Sequence, residues 1–231
     1  MKKLVAFFIV FLWCIFVGAC NADIVVPADL HTRLKLNFTN GLAEDSSIYS
    51  NKVVAVDGVA VTAGVAVFTG GWLNVQDSPL LDLSDKNFTI KFRLHPSSLG
   101  LRGIIGKFAD QKNYWMIYAD GSAKTIIFEA KEHGVTIAQY AFKVPYQTGR
   151  WRNYSLAREK ENLYMICENK HYEPIVAVPI YSTAIPNFLT AAGQYPIGIG
   201  RPAGIPITAA GVRPWACMMD EICIIMDYPG R

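Results

Sequence analysis

Cysteine, histidine and charge are all scarce in this chain, and each scarcity removes a class of function. Of 231 residues, five are cysteine and four are histidine. No Cys-x-x-Cys pair occurs, which removes the usual zinc and thioredoxin-like sites. Neither Gly-x-Ser-x-Gly nor His-Glu-x-x-His occurs, so no nucleophile elbow and no zincin helix is encoded. The histidines, His31, His95, His133 and His171, are scattered and read as polar residues near strand ends and turns. Lysine and arginine number 22 against 19 acidic residues. That near balance, without a long basic patch, gives no electrostatic footprint for nucleic acid. Helical periodicity is missing too. After residue 22, no apolar i, i+3, i+4, i+7 stripe runs three turns without Gly, Pro or β-branched interruption.

What is present begins with export. Met1-Lys2-Lys3 is a short positive start, Leu4 to Val17 is an apolar run, and Gly18-Ala19-Cys20 are small. That is the three-part layout of a secretory signal over residues 1–19, and the run is too short to span a bilayer comfortably. A retained membrane anchor is the alternative. Val17-Gly18-Ala19-Cys20 also resembles the bacterial lipobox, which implies that Cys20 is lipidated and becomes the first residue. The expected location is the periplasm or cell surface, with the membrane reached only through that lipid. Failing that, Cys20 is a small residue beside an ordinary cleavage site after Ala22. Removing residues 1–19 leaves 212 residues and takes away two lysines, so the net charge falls from +3 to +1. Residues 20–32 read as a tether and 33–231 as one domain, long enough to bury a sizeable core.

Strand signals fill that domain. Short alternating, β-branched or aromatic runs recur from Leu34–Phe38 through Phe88–Leu94 and Val135–Phe142 to Met218–Met226. Turn pairs such as Asn40-Gly41, Asp57-Gly58, Gly70-Gly71, Asp120-Gly121, His133-Gly134 and Glu161-Asn162 lie between them. Many short strands without interleaved helices predict an all-β, two-sheet antiparallel β-sandwich. In Phe88–Leu94, Phe88, Ile90, Phe92 and Leu94 alternate with Thr89, Lys91 and Arg93, so one face is buried and the other wet. The division around Trp151 is less clear-cut. Pro179 to Pro214, rich in Pro, Gly, Ala and Thr, reads as loop with one strand. Cys167, Cys217 and Cys223 admit one bridge, from Cys167 to either of the others, or three buried thiols; the second reading is favoured.

The order of segments resembles the laminin-G-like jelly rolls of the concanavalin A-like lectin and glucanase superfamily. The resemblance is carried by Leu34–Phe38 with Asp45-Ser46-Ser47, Gly64–Gly70, Asn87–Pro96, Gly149–Leu156, Asn162–Met165, Ile197–Gly200 and Met219–Ile222. It implies a concanavalin A-like jelly roll, and the superfamily hosts lectins, adhesion modules, hydrolases and lyases alike. It also implies one Ca²⁺, with Asp45 and Asp220 as carboxylate candidates. The alternatives are that Asp45 caps a turn and Asp220 makes a backbone hydrogen bond.

Glycosidases of this kind carry paired carboxylates on one strand face, in a Glu-x-Asp-x-Glu or Glu-x-Asp-x-x-Glu arrangement, and no such pattern occurs. Asp220 and Glu221 are strand neighbours and are expected to point to opposite faces. Glu129 and Glu132 flank a turn and read as solvated hairpin charges; Asp82 and Asp85 read as loop residues. The missing pair moves the expectation from catalysis to binding of carbohydrate or an extracellular or envelope protein. Trp72 and Trp215 are the rings expected to be exposed for a ligand. A hydrolase or lyase with an unrecognised carboxylate pair is the runner-up, and a structural envelope component the third reading.

Overall fold

The computed structural model describes residues 30–39, 41–83, 86–110, 112–160, 162–178, 195–200 and 216–226. Within them the chain makes β1 (Thr32–Thr39), β2 (Leu42–Asp45), β3 (Val53–Ala55), β4 (Val59–Thr62), β5 (Val65–Thr69), β6 (Leu73–Val75) and β7 (Phe88–Pro96). The strands β8 (Leu101–Asp110), β9 (Asn113–Asp120), β10 (Thr125–Glu132), β11 (Val135–Lys143) and β12 (Arg152–Glu159) follow. The last are β13 (Asn162–Cys167), β14 (Lys170–Tyr172), β15 (Val176–Val178), β16 (Ile197–Ile199) and β17 (Ala216–Met226). One short 3-10 turn, Pro79–Leu81, precedes β7.

Local turn chemistry decides where the chain reverses. At Ala63-Gly64, His133-Gly134 and Glu168-Asn169 both residues have positive φ, the left-handed geometry whose twist suits two-residue hairpins. Asp120-Gly121 works differently from the tight turn its sequence suggests. Four residues separate β9 from β10, and Asp120 Oδ1 accepts from the Ser122 and Ala123 amides at 3.0 and 3.1 Å. Lys124, rather than Gly121, supplies the positive φ there.

The strands form two antiparallel sheets. One is nine-stranded, in the order β14-β13-β12-β7-β17-β1-β2, with β5 on β17 and β4 on β5. The other is eight-stranded, in the order β15-β11-β10-β9-β8-β16-β6-β3. Their inner faces share one core: Leu36, Phe92, Leu156 and Ile224 from the first sheet pack with Ile105, Ile117, Phe128 and Phe142 from the second. The Phe88–Leu94 alternation is realised, with Phe88, Ile90, Phe92 and Leu94 buried. On β12, Tyr154 takes the core side and stacks on Phe92 at 5.5 Å, which sends Trp151 to the outer face. The strands β2, β4 and β15 were not legible as runs. Cys167, Cys217 and Cys223 are buried thiols, and none of them forms a disulfide. Burial pushes the Cys167 thiol up to about 11, and Cys217 well above its ordinary value.

A charged side chain is built into the core itself. Lys107 on β8 pairs with Trp115, Ile197 and, through β16, Val75, and is 1% exposed. Asp77 and Asp82 flank the 3-10 turn and meet its Nζ at 2.5 and 3.0 Å. Asp82, expected to be an ordinary loop residue, is therefore a buried ion-pair partner. Burial pushes its carboxyl up, and the Lys107 hydrogen bond and charge only partly offset that. Close backbone approach is equally exacting at Gly71, where a Cβ would land on the Asp57 carbonyl oxygen.

Candidate functional site

Charge, aromatic rings and partial exposure coincide on the outer face of the eight-stranded sheet. Because Ile126, Phe128 and Ala130 enter the core, alternation turns Glu129 and Lys131 outwards. Register aligns Glu129 with Met116 on β9 and Gln139 on β11, and Lys131 with Tyr114. The Tyr114 hydroxyl donates to Glu129 Oε1. Gln139 Nε2 and the Tyr118 hydroxyl donate to Oε2 at 2.9 and 3.5 Å. Lys131 Nζ stands 3.6 Å from Oε1 and 5.5 Å from the Tyr114 ring centroid. Phe108, Tyr114 and Met116 form a small apolar cluster beneath, with Tyr118 packed against it.

Glu129 is thus no solvated hairpin charge: it is 9% exposed, and Tyr118, Gln139 and Lys131 form the half-buried rim around it. Burial first, and the Glu129 charge with it, hold the Tyr114 and Tyr118 phenols well above the ordinary tyrosine range. Both therefore stay protonated and donate at any physiological pH. What the cluster offers is a carboxylate acceptor, amide and ammonium donors, and a ring face.

It does not offer a catalytic pair. Retaining glycosidases place two carboxyls about 5–5.5 Å apart, whereas the residue directly across from Glu129 is the carboxamide Gln139. Among the described residues, no second carboxylate joins this network.

Trp72 lies on the same face. Leu73 and Val75 are buried, so Trp72 and Asn74 point outwards, and Trp72 Nε1 donates to Asn74 Oδ1 at 2.9 Å. The ring is half-buried rather than openly exposed. Asn74 continues through Gly198, Gly106 and Met116 to Glu129 in one cross-strand row. Trp215 and Cys20 lie outside the described residues.

Asp45 is the hub of a loop. Its Oδ1 accepts from the Lys35 and Ser47 amides, both at 2.9 Å. Its Oδ2 accepts from Ser47 Oγ at 2.8 Å and from the Asn51 amide and side chain, both at 2.7 Å. Burial alone would raise this carboxyl, but the backbone donors outweigh it and hold the carboxyl below its usual range. Asp220 lies in a bulge, since Met219 pairs with Leu94 and Ile222 with Phe92. One extra residue breaks the alternation there, so Asp220 and Glu221 both stay out of the core. Asp220 pairs with Arg93, whose guanidinium carbon sits 5.0 Å from the Trp151 ring centroid. A calcium ion needs six to eight oxygens. Here five donors already occupy Asp45 and a guanidinium occupies Asp220, and no group of three His, Cys, Asp or Glu converges among the described residues. These two carboxylates do not fit calcium.

No protein-family model and no curated protein sequence matches the chain. Solved structures do match, at low identity. The binding domain of Paraclostridial Mosquitocidal Protein 1 superposes with TM-score 0.63 at 14% identity, over 87% of this chain and 50% of that one. A structure of botulinum neurotoxin type C, concerned with its interaction with two ganglioside molecules, gives 0.59 at 14% identity, over 84% and 47%. The binding domain of botulinum neurotoxin DC, in complex with rat synaptotagmin II, gives 0.58 at 12% identity, over 84% and 48%. The shared feature is the β-sandwich fold. This chain spans about half the length of each of these domains.

Proposed function

We propose that this chain is an exported, lipid-anchored, non-catalytic module that binds carbohydrate through the Glu129 face of a laminin-G-like sandwich. The observation that carries the reading is the pairing of one carboxylate with an amide. Glu129 faces Gln139 where a hydrolase would need a second carboxyl, while Tyr118, Gln139 and Lys131 surround it with hydroxyl-matching groups. Neighbours of the same fold include proteins studied with gangliosides and with a synaptotagmin, which supports a glycan or an extracellular protein as partner. The Val17–Cys20 segment supports a lipid tether at Cys20 that holds the domain in the periplasm or at the cell surface.

The test is a glycan array probed with residues 21–231, with calcium and with chelator. Binding is expected in both conditions, and Tyr118→Ala is expected to weaken it. An array that stays blank in both would overturn the carbohydrate reading. The tether is tested apart from it, by radioactive fatty-acid labelling of the full chain against Cys20→Ala. Equal labelling of the two would refute lipidation at that residue.

A further inference from the structure

A second depression crosses the outer face of the other sheet, and nothing in the Glu129 reading uses it. At the β13–β14 edge an open pocket of about 840 Å³ is lined by Lys160, Asn162, Tyr164, Ile166, His171 and Glu173, with Glu159. A hollow of about 300 Å³ adjoins it, sharing Glu159 and Tyr164 and reaching Thr89, Ala157 and Ile225. The sheet register explains this shape. Tyr164 pairs with Ala157, Ala157 with Thr89, and Thr89 with Ile225, so two small side chains, Ala157 and Thr89, lie between the Tyr164 ring and Ile225. Like Glu159, Tyr164 lines both parts. His171 packs on it with centroids 4.6 Å apart, and Glu173 holds the His171 Nδ1 at 3.2 Å.

The rim is held in place as well. At the β12–β13 turn, the Lys160 amide donates to Asn87 Oδ1 at 2.8 Å and its carbonyl accepts from Arg158 Nε at 2.9 Å. Each of the two spaces falls in the range of small-ligand clefts. Its lining mixes carboxylates, Glu159 and Glu173, with Lys160, Arg158 and His171, so no single charge sign recruits a ligand. Hydroxyl-matching groups along a groove, beside a ring and over small side chains, suit a chain of neutral sugars rather than an anion or an apolar helix.

We infer that this groove is a second binding site, for a neutral oligosaccharide, with Tyr164 as its stacking platform. The inference rests on the carbohydrate reading for ligand class but on the opposite face of the sandwich. Isotope-labelled residues 21–231 are titrated with cello-, xylo-, malto- and chito-oligosaccharides, and separately with an acidic oligogalacturonate, following backbone amide shifts. A neutral chain is expected to move the Ala157, Tyr164, Ile166 and His171 amides. Tyr164→Ala is expected to weaken that response about tenfold, Tyr164→Phe to retain it, and Tyr118→Ala to leave it alone. Shifts confined to the Glu129 face overturn the groove while sparing the proposed function. A response to the acidic chain alone, or none from the neutral chains at the limit of their solubility, overturns the groove too.

Discussion

Lys107 and Glu129 lie two strands apart on opposite faces of the same sheet, and both are charges nearly withdrawn from water. Their surroundings differ in kind. Lys107 is 1% exposed and meets two carboxylates, so charge is answered by charge inside the core. Glu129 is answered mainly by neutral donors, two phenols and an amide, with its one ammonium neighbour at 3.6 Å and half-exposed. The first arrangement is closed: no ligand can reach it, and its use is to pin the Pro79–Leu81 turn onto β8. The second is open, because its partners also form the rim that a ligand would touch. A buried charge marks a binding site only when its partners remain reachable.

Removing Lys107 tests the closed half of this contrast most severely. Lys107→Met fills the space with an apolar chain but leaves Asp77 and Asp82 facing each other without the buried ammonium that both meet. Breaking a buried pair in this way costs about 3–5 kcal/mol. For a domain of this size that lowers Tm by roughly 6–20 °C, read by thermal unfolding. A loss under about 1 kcal/mol would mean that the triad is not closed, and the contrast with Glu129 would fail.

Asp45 is a second closed charge, at a loop instead of in the core. Asp45→Ala abandons five hydrogen bonds from the Lys35, Ser47 and Asn51 donors, at a cost of roughly 2–3 kcal/mol, since bonds to a charged group are the strong ones. The sign of its pH dependence follows from the lowered carboxyl pKa. The stabilisation is full above the ordinary carboxylate value, about pH 4, and is lost as pH falls through the lower folded value. Acid unfolding curves should show that the variant lacks this part of the wild-type slope. Parallel slopes would detach Asp45 from the loop's stability.

How much of this was readable in advance depends on sequence distance. The core face of Phe88–Leu94 was legible because its period of two is local. The His133-Gly134 turn was legible because two adjacent residues set it. Glu129 was not legible, for its partners Tyr114, Tyr118 and Gln139 arrive from neighbouring strands, and only register brings them together. Beside Lys131 and Glu132, it has the look of a hairpin charge. Trp72, a ring the sequence leads one to expect exposed, is half-buried on the outer face, and nothing local in the sequence singles out Asn74 as its partner. The bulge at Asp220-Glu221 could not be read from alternation, since it is the place where alternation stops. Strands β2, β4 and β15 are three or four residues long, too short for a periodic signal.

The smallest expected change in stability belongs to Glu129→Gln, and it is the sharpest test of openness. Glutamine keeps the shape and one carbonyl acceptor, so Tyr114 or Tyr118 retains a partner, and Lys131 is exposed enough to turn to water. The stability change is therefore expected to stay within about 1 kcal/mol, well below the Lys107 effect. Glycan affinity is expected to fall about tenfold, because a charged acceptor for hydroxyl groups becomes a neutral one. Comparing the two variants separates structure from function on one sheet: Lys107→Met should unfold early yet bind while folded, and Glu129→Gln should stay folded yet bind poorly. If Glu129→Gln instead unfolds as easily as Lys107→Met and binds normally when folded, Glu129 is a third closed charge, and the ligand face has to be sought elsewhere on the sandwich.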